Sequence, residues 1–371
     1  MKQLSKAGLS VLQVGVYSVE KLGEVYDIFI DKPLNEESFN KLYTYLLRKY
    51  NYFPAQLRST PPVIRLFPVK KSGSKTLVIK LLLLSLTILT VTLTGYGLID
   101  SFNQLFHAFD KTSMFLWSIT YTILFLSALG FHEAGHILAS RRSGIVIDGP
   151  YFIPAPPIQL GFIGTLGAVI NMKTLPPDRK SLAKLGISGP LAGFIAGLLV
   201  GILGVMLSPE ISISKAKELI AQGKATEASF LPVIVTLLLL LKPVKPGYTI
   251  FIHPILLVSI IVFLVTFLNL LPIAQLDGGH VVRSYVSMKT YEKIGYFLPV
   301  TLLFIGVLLA VFGVSLGMFL MALSFVLLII KYVLGRKPHP GPANQFSEIK
   351  DYRYLILYIA LLILTMPIPV A

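Results

Sequence analysis

The sequence predicts a polytopic α-helical membrane protein with a small N-terminal α+β soluble domain and an irregular or β-hairpin loop embedded at membrane depth. Three observations carry that prediction. From residue 76 onward, apolar segments recur at about the 20-residue length that spans a hydrocarbon core. Only 14% of the 371 residues are charged, against about 25% in a typical soluble domain. Residues 1–75 lack the long apolar runs and read as soluble.

Within that first region, Val25–Ile30 reads as a strand and residues 36–49 as a helix. Glu36 and Glu37 open the helix and Arg48 and Lys49 close it, as the helix dipole prefers. Pro61-Pro62 leads into a second strand at 63–69, and Lys70-Lys71-Ser72-Gly73-Ser74-Lys75 reads as a linker. The N-terminus, Met1-Lys2-Gln3-Leu4-Ser5-Lys6, has no apolar stretch behind it, so no cleavable signal peptide is expected. The expected division is a soluble domain and linker at 1–75, a membrane core at 76–294 and additional helices at 295–371.

Membrane spans are expected at 76–99, 114–140, 182–207, 250–273, 295–313, 315–334 and 354–369. Residues 144–170 are apolar but rich in Gly and Pro. That composition implies irregular backbone, which survives at membrane depth only when buried in protein or lining a cavity. Residues 230–241 are apolar but too short for a span and read as re-entrant or interfacial. The mean hydropathy of +0.75 agrees with a membrane composition.

The net charge of +15 would suit a nucleic-acid binder, but the basic residues lie between the apolar segments. There they set topology against anionic lipid, and no nucleic-acid partner is expected. Arg141, Arg142, Arg179, Lys180, Lys184, Arg283, Lys289, Lys293, Lys331, Arg336, Lys337, Lys350 and Arg353 all fall on one side. The positive-inside rule makes that side, and the N-terminal domain with it, cytoplasmic. Segment 208–249 carries five lysines on the other side and is treated as a long loop, where charge bias has less authority.

The chemistry sits at Phe131-His132-Glu133-Ala134-Gly135-His136, near the end of the second span. On a helix, His132 and His136 share a face one turn apart, so both imidazoles can reach one Zn²⁺. Glu133 points beside the metal, where a general base for water belongs. Three ionisable side chains within five positions of a spanning helix are costly to keep and point to a function. The chain has no cysteine, so a metal here must be held by His, Asp or Glu. Later carboxylates lie in polar loops except Asp277, which makes it the candidate third ligand. Depth agrees: at 1.5 Å per residue, His132 and His136 lie about 14 and 8 Å before Arg141, and Asp277 about 9 Å before Arg283. The agreement requires that 208–249 return to the side on which it began.

These residues resemble the site-2 protease family of intramembrane zinc metalloproteases, in its archaeal and plastid branch. The resemblance rests on His132-Glu133-Ala134-Gly135-His136, on Asn269-Leu270-Leu271-Pro272-Ile273-Ala274-Gln275-Leu276-Asp277-Gly278, and on Gly186-Ile187-Ser188-Gly189-Pro190-Leu191-Ala192-Gly193. Tyr151-Phe152-Ile153-Pro154 and Gly161-Phe162-Ile163-Gly164-Thr165-Leu166-Gly167-Ala168 resemble that branch's membrane-embedded loop. The resemblance covers roughly residues 110–290. It implies one zinc ion on His132, His136 and Asp277, with Glu133 catalytic and Asn269 near the scissile bond. It also implies transmembrane proteins as substrates, cut near the cytoplasmic side, and a place in the plasma membrane of a prokaryote. Nothing reads as the PDZ domain of many bacterial members.

Asn269 lies inside an apolar run with Pro272 beyond it, a broken-helix pattern that suits a substrate-orienting amide better than a simple interhelical hydrogen bond. His280 is expected as an interfacial residue at a helix end, with a role behind Asp277 as the alternative. His253 is expected near the outer end of its span, and His107 and His339 in loops. Glycines 186, 189, 193, 197, 201 and 204 read as a close-packing face, and 161–168 as a strand for substrate pairing or a plain packed hairpin. The competing function is a metal transporter with the same ligands. Against it stand Glu133 between the histidines and the lack of an acidic path to the outer face.

Overall fold

A computed structural model describes residues 15–70, 73, 75–335 and 338–370. The N-terminal run at 1–6, linker positions 71, 72 and 74, and the basic pair Arg336 and Lys337 lie outside the described residues. The N-terminal unit comprises β1 (Val16–Leu22), β2 (Val25–Ile30), α1 (Glu36–Tyr50), β3 (Tyr52–Leu57) and β4 (Val63–Pro68). Its antiparallel sheet has the order β1-β2-β4-β3. Asn35 caps α1 by accepting from the Ser38 amide, and Asn51 ends it in the left-handed region. Phe39, Leu42, Tyr43 and Leu46 of α1 bury against Ile28, Ile30, Phe53, Ile64 and Leu66 of the sheet. Strands β1 and β3 were not expected. All of β1 is exposed and carries no burial pattern, while β3 contains Pro54, which is tolerated because β3 is an edge strand.

The unit is fastened to the rest of the chain. Tyr43 donates to the Leu175 carbonyl at 2.9 Å and Asn40 to Asp178 at 2.9 Å. Burial pushes the Tyr43 phenol up to about 12, so it remains a donor throughout the physiological range.

The helical region begins with α2 (Lys75–Phe106) and α3 (Lys111–Arg142). The expected outer loop at 100–113 is reduced to residues 107–110, because α2 runs on beyond Ile99 to a left-handed His107. Phe102 and Phe106 on that extension stack on each other and meet Phe251, an aromatic cluster that gives the extra turns something to pack on. The irregular region contains β5 (Ile147–Pro154) and β6 (Thr165–Met172), paired antiparallel, with a 3-10 turn at Ile158–Leu160 between them. The second strand therefore starts later than the expected 161–168, since Gly161 and Gly164 take positive φ in the connection. Asp148 of β5 is paired with Lys80 of α2 at 2.5 Å and with Lys173 at 3.5 Å, which pins the hairpin against α2.

Next come α4 (Arg179–Leu207), β7 (Glu210–Ser212), α5 (Ile213–Ala221), β8 (Phe230–Pro232), α6 (Val233–Leu239), β9 (Tyr248–Ile250) and α7 (Pro254–Asn269). Strand β7 pairs with β9, setting Glu210 opposite Ile250, so the chain returns to the end of α4 from which it left. The seven-residue α6 does not cross the bundle. The chain closes with α8 (Asp277–Tyr285), α9 (Met288–Val311), α10 (Leu316–Leu334), α11 (Arg353–Thr365) and β10 (Pro367–Pro369), which pairs with β8.

This is a polytopic membrane protein. Among the described residues, five helices (α2, α3, α4, α9 and α10) are long and apolar enough to cross a membrane, and α7 and α11 are shorter apolar helices. The expected span at 250–273 is clipped at both ends. His253 caps α7 ahead of Pro254, and Pro272 lies in the break beyond Asn269. At 1.5 Å per residue, α7 measures about 24 Å, less than a hydrocarbon core. Its length need not match the lipid, because α7 is buried among α4, α3 and α11.

Helices α4 and α7 meet through glycines. A Cβ on Gly201 would lie 2.6 Å from Ser259 Oγ, and one on Gly204 2.4 Å from the Leu256 Cα. Ser259 donates to the Gly197 carbonyl at 2.9 Å across the same seam. Backbone contact this close leaves no room for a methyl group, so Gly204→Ala should destabilise the protein by about 1–3 kcal/mol. Thermal unfolding in detergent micelles measures it, and an unchanged midpoint would mean the seam is looser than this.

Candidate metal centre

The site assembles from three elements. Helix α3 supplies His132 and His136, one turn apart on its buried face. Gly135 sits between them, and a Cβ there would lie 2.3 Å from the Ser188 carbonyl oxygen, so α3 and α4 touch backbone to backbone. Facing them on α4, a Cβ on Gly189 would lie 2.1 Å from His136 Nε2, and one on Gly193 3.0 Å from His132 Nδ1. A Cβ on Gly186 would lie 2.6 Å from the Asp277 carbonyl. The glycine face therefore has two jobs. Gly197, Gly201 and Gly204 pack helices, as expected, whereas Gly186, Gly189 and Gly193 clear the slot that holds the polar residues.

Asp277 arrives by a broken helix. After Asn269 the chain turns through Leu271-Pro272-Ile273, passes a left-handed Ala274 with φ of 51°, and begins α8 at Asp277 itself. The two glycines that follow have a steric reason. A Cβ on Gly278 would lie 1.9 Å from the Leu270 carbonyl, and one on Gly279 2.5 Å from Tyr291 Oη. Tyr291 donates to the Ala274 carbonyl at 2.7 Å and holds the turn in place.

The donor atoms converge. His132 Nε2 lies 3.2 Å from Asp277 Oδ2, His136 Nε2 3.2 Å from Asp277 Oδ1, and the two Nε2 atoms 3.2 Å from each other. His136 Nδ1 is 3.0 Å from the Leu185 carbonyl, which can only accept, so the ring proton sits on Nδ1 and Nε2 presents a lone pair. Tetrahedral coordination at about 2.0–2.1 Å separates neighbouring donors by about 3.3–3.4 Å. The observed spacing fits. His132, His136 and Asp277 form a group that can hold a metal ion, the two histidines buried and Asp277 half-buried, and they would offer three protein ligands, the number typical of catalytic zinc.

Glu133 is buried next to His132 on α3. Its carboxylate makes no hydrogen bond or ion pair among the described residues. Asn269 ends α7 half-buried, eight residues before Asp277, with its amide likewise free of hydrogen bonds among them. His253 is at the N-terminal end of α7, where Nδ1 accepts from the Ile255 amide and caps the helix. His280 departs from expectation: it is 6% exposed, with Nδ1 2.8 Å from Nε2 of His339, which is 3% exposed. His339 does lie in a loop, but a folded-in one. An isolated histidine between prolines carries no periodicity, so no local signal could have flagged it.

Peptidase family M50 matches residues 120–313, more than half of the chain, and the match includes His132, His136 and Asp277. The chain belongs to this family. Similar proteins include the probable zinc metalloprotease EGY2, chloroplastic, of Arabidopsis thaliana, 29% identical over 192 residues. That alignment covers 52% of this chain and 33% of EGY2. The probable zinc metalloprotease EGY1, chloroplastic, of the same plant is 31% identical over 160 residues, covering 43% of this chain and 28% of EGY1. The chain spans about a third of the length of the first of these curated relatives. Among solved structures, the site-2 protease from Methanocaldococcus jannaschii aligns at a TM-score of 0.31 and 18% identity, over 67% of this chain and 89% of that one.

Family membership and the donor geometry agree on a zinc site. Asp277→Ala removes one corner and should cost most of the bound zinc. Gly189→Ala drives a methyl group into His136 and should do so without touching a ligand. Metal analysis of the purified variants checks both, and a full complement of zinc in Gly189→Ala would contradict the close approach of α4.

Proposed function

We propose that this chain is an intramembrane zinc endopeptidase that cuts transmembrane segments of membrane-anchored proteins near the cytoplasmic side. The observation that carries the reading is the convergence of His132, His136 and Asp277 within the apolar bundle, a few turns from its basic end. His136 lies about 8 Å and His132 about 14 Å along α3 before Arg141, at 1.5 Å per residue. The positive-inside rule makes the basic end cytoplasmic, and the N-terminal sheet, joined to 175–178 at that end, is cytoplasmic with it. The host membrane in this reading is the plasma membrane of a prokaryote. Membership of a peptidase family weighs against the metal-transport alternative.

Zinc held by the three ligands supplies a Lewis acid toward a carbonyl or a water oxygen. Glu133 accepts the proton of the attacking water and returns it to the leaving amine, a role its uncommitted carboxylate suits. Asn269 donates to the substrate carbonyl as negative charge develops there. Asp277 and the two histidines are then fully occupied as ligands, which leaves Glu133 as the base.

A transmembrane helix keeps its carbonyls bonded to its own amides, and lipid offers no replacement partner. Cleavage therefore needs an extended segment whose freed groups find partners in the protease. The hairpin suits that need. Strand β5 lies against α2, which leaves the far edge of β6 outside the two-stranded pairing, with Leu166 and Val169 exposed along it. A substrate strand added there would satisfy its backbone in the bilayer.

Glu133→Gln should keep zinc yet lose proteolysis of a reconstituted substrate by about 10²-fold or more; activity within tenfold of wild type rejects the role. Unwinding is tested separately, with reporters whose transmembrane segments carry Gly or Pro near the cut or a uniform Leu/Ala run. Each Gly weakens a helix by about 1 kcal/mol relative to Ala and each Pro by about 3, so the interrupted segments should be cut faster. A uniform helix cut equally fast, at the same depth in liposomes, would show that unwinding is not limiting.

A further inference from the structure

The helix that carries Asp277 is short and detached. Helix α8 has nine residues and is separated from α7 by the break at 270–276, so no long rod sets its position or rotation. On one side it is seated on α4 at Gly186, whose missing Cβ leaves room for the Asp277 carbonyl and for His280 Cβ. A second support lies on another side, from a segment outside the family match.

That segment is 338–347, between α10 and α11. His339 is nearly sealed from solvent, and Gly341 N donates to its Nδ1 at 3.0 Å. Nδ1 is therefore the acceptor, the neutral ring carries its proton on Nε2, and Nε2–H donates to His280 Nδ1 at 2.8 Å. Two residues on, the Arg283 guanidinium of α8 lies over Gly341, where a Cβ would come within 2.7 Å of Nη2. The segment then bonds to the loop before α4, with Ala343 N donating to the Pro176 carbonyl at 2.7 Å and Asn344 N to Pro177 at 3.0 Å. It finishes on the edge strand β3. Gln56 N donates to Ala343 at 2.8 Å, Gln345 N donates to Gln56 at 3.1 Å, and Gln56 Nε2 reaches Asn344 Oδ1 at 3.0 Å.

We propose that residues 338–347 are a brace that holds α8, and with it Asp277, in metal-binding position, with His339 as the positioning residue and the N-terminal sheet as the far anchor. The physical reason is directional. Apolar packing alone would let a nine-residue helix rotate or slide, whereas a buried His–His hydrogen bond breaks with either motion and leaves unsatisfied polar groups behind. His339 packs on His280 and Tyr291 and acts on Asp277 through His280. The proposal rests on His132, His136 and Asp277 being metal ligands but not on peptide-bond cleavage.

The test is cobalt binding by the full-length protein in detergent, read from the optical d–d bands by titration against a chelator. His339→Ala should weaken affinity about tenfold, the low end for loss of a partner behind the ligands, and alter the band pattern. His339→Gln retains an acceptor for the Gly341 amide and a donor for His280, and should recover to within about threefold of wild type. The His280→Ala, His339→Ala double variant should be no worse than the poorer single, because the two act as one unit. Gln56→Ala, at the far anchor, should weaken binding in the same direction by a smaller factor.

Circular dichroism at the titration temperature shows whether each variant is folded, and the His339→Gln comparison remains decisive even if the alanine variant is not. Unchanged cobalt affinity and spectrum in His339→Ala overturn the proposal. So do a glutamine variant as impaired as alanine and additive losses in the double variant. An unaffected Gln56→Ala overturns the part given to the Gln56 side-chain amide in the anchorage on the N-terminal sheet. A wild-type chain that binds no cobalt defeats the metal reading and this inference together, which separates that failure from the others.

Discussion

The structure depends on bringing three polar donors together inside an apolar bundle, and that requires helices to meet at backbone distance. Gly135 on α3 and Gly186, Gly189 and Gly193 on α4 make the approach possible. Any side chain at these positions would occupy the volume of an imidazole or a carbonyl. The close seam also buries the histidine donors, and lone pairs held there need a proton donor or a cation to satisfy them. Packing and chemistry are thus the same constraint here.

A second consequence follows from the helix break. Asp277 must enter from a direction that neither α3 nor α4 supplies, and a continuous helix through 254–285 would aim it along a single axis. Stopping at Asn269 and restarting at Asp277 lets the chain change direction within seven residues, with Gly278 and Gly279 allowing the second helix to tuck beneath the first. Irregular backbone at membrane depth needs partners for its exposed groups. Tyr291 supplies one at Ala274, and the surrounding helices bury Leu270, Leu271 and Ile273.

The N-terminal sheet unit is joined to this arrangement rather than appended to it. Its edge strand β3 is covered by the segment around Ala343 to Gln345, and Tyr43 and Asn40 reach the loop leading into α4. An edge strand left open invites association with other chains. Here, covering it also ties the first and last thirds of the sequence to α4 and α8, two of the three helices at the metal centre.

Local chemistry was legible from the sequence. Apolar length marked the helices, and the one-turn spacing of His132 and His136 marked the candidate metal site. Asp277 stood out as a carboxylate in an apolar context, and Glu36, Glu37, Arg48 and Lys49 marked the ends of α1. These signals are local, so a window of residues contains them. What the tertiary structure alone decided is non-local. Strand β1 has no burial pattern to read, and β3 is permitted its proline only by lying at an edge. The return of 208–249 to its starting side depends on Glu210 finding Ile250. The division of the α4 glycines between packing and site depends on what faces each one. His280 looked interfacial because its partner lies 59 residues away, in a segment without periodicity. Sequence determines which groups are costly to bury; only the fold determines which partners make that burial possible.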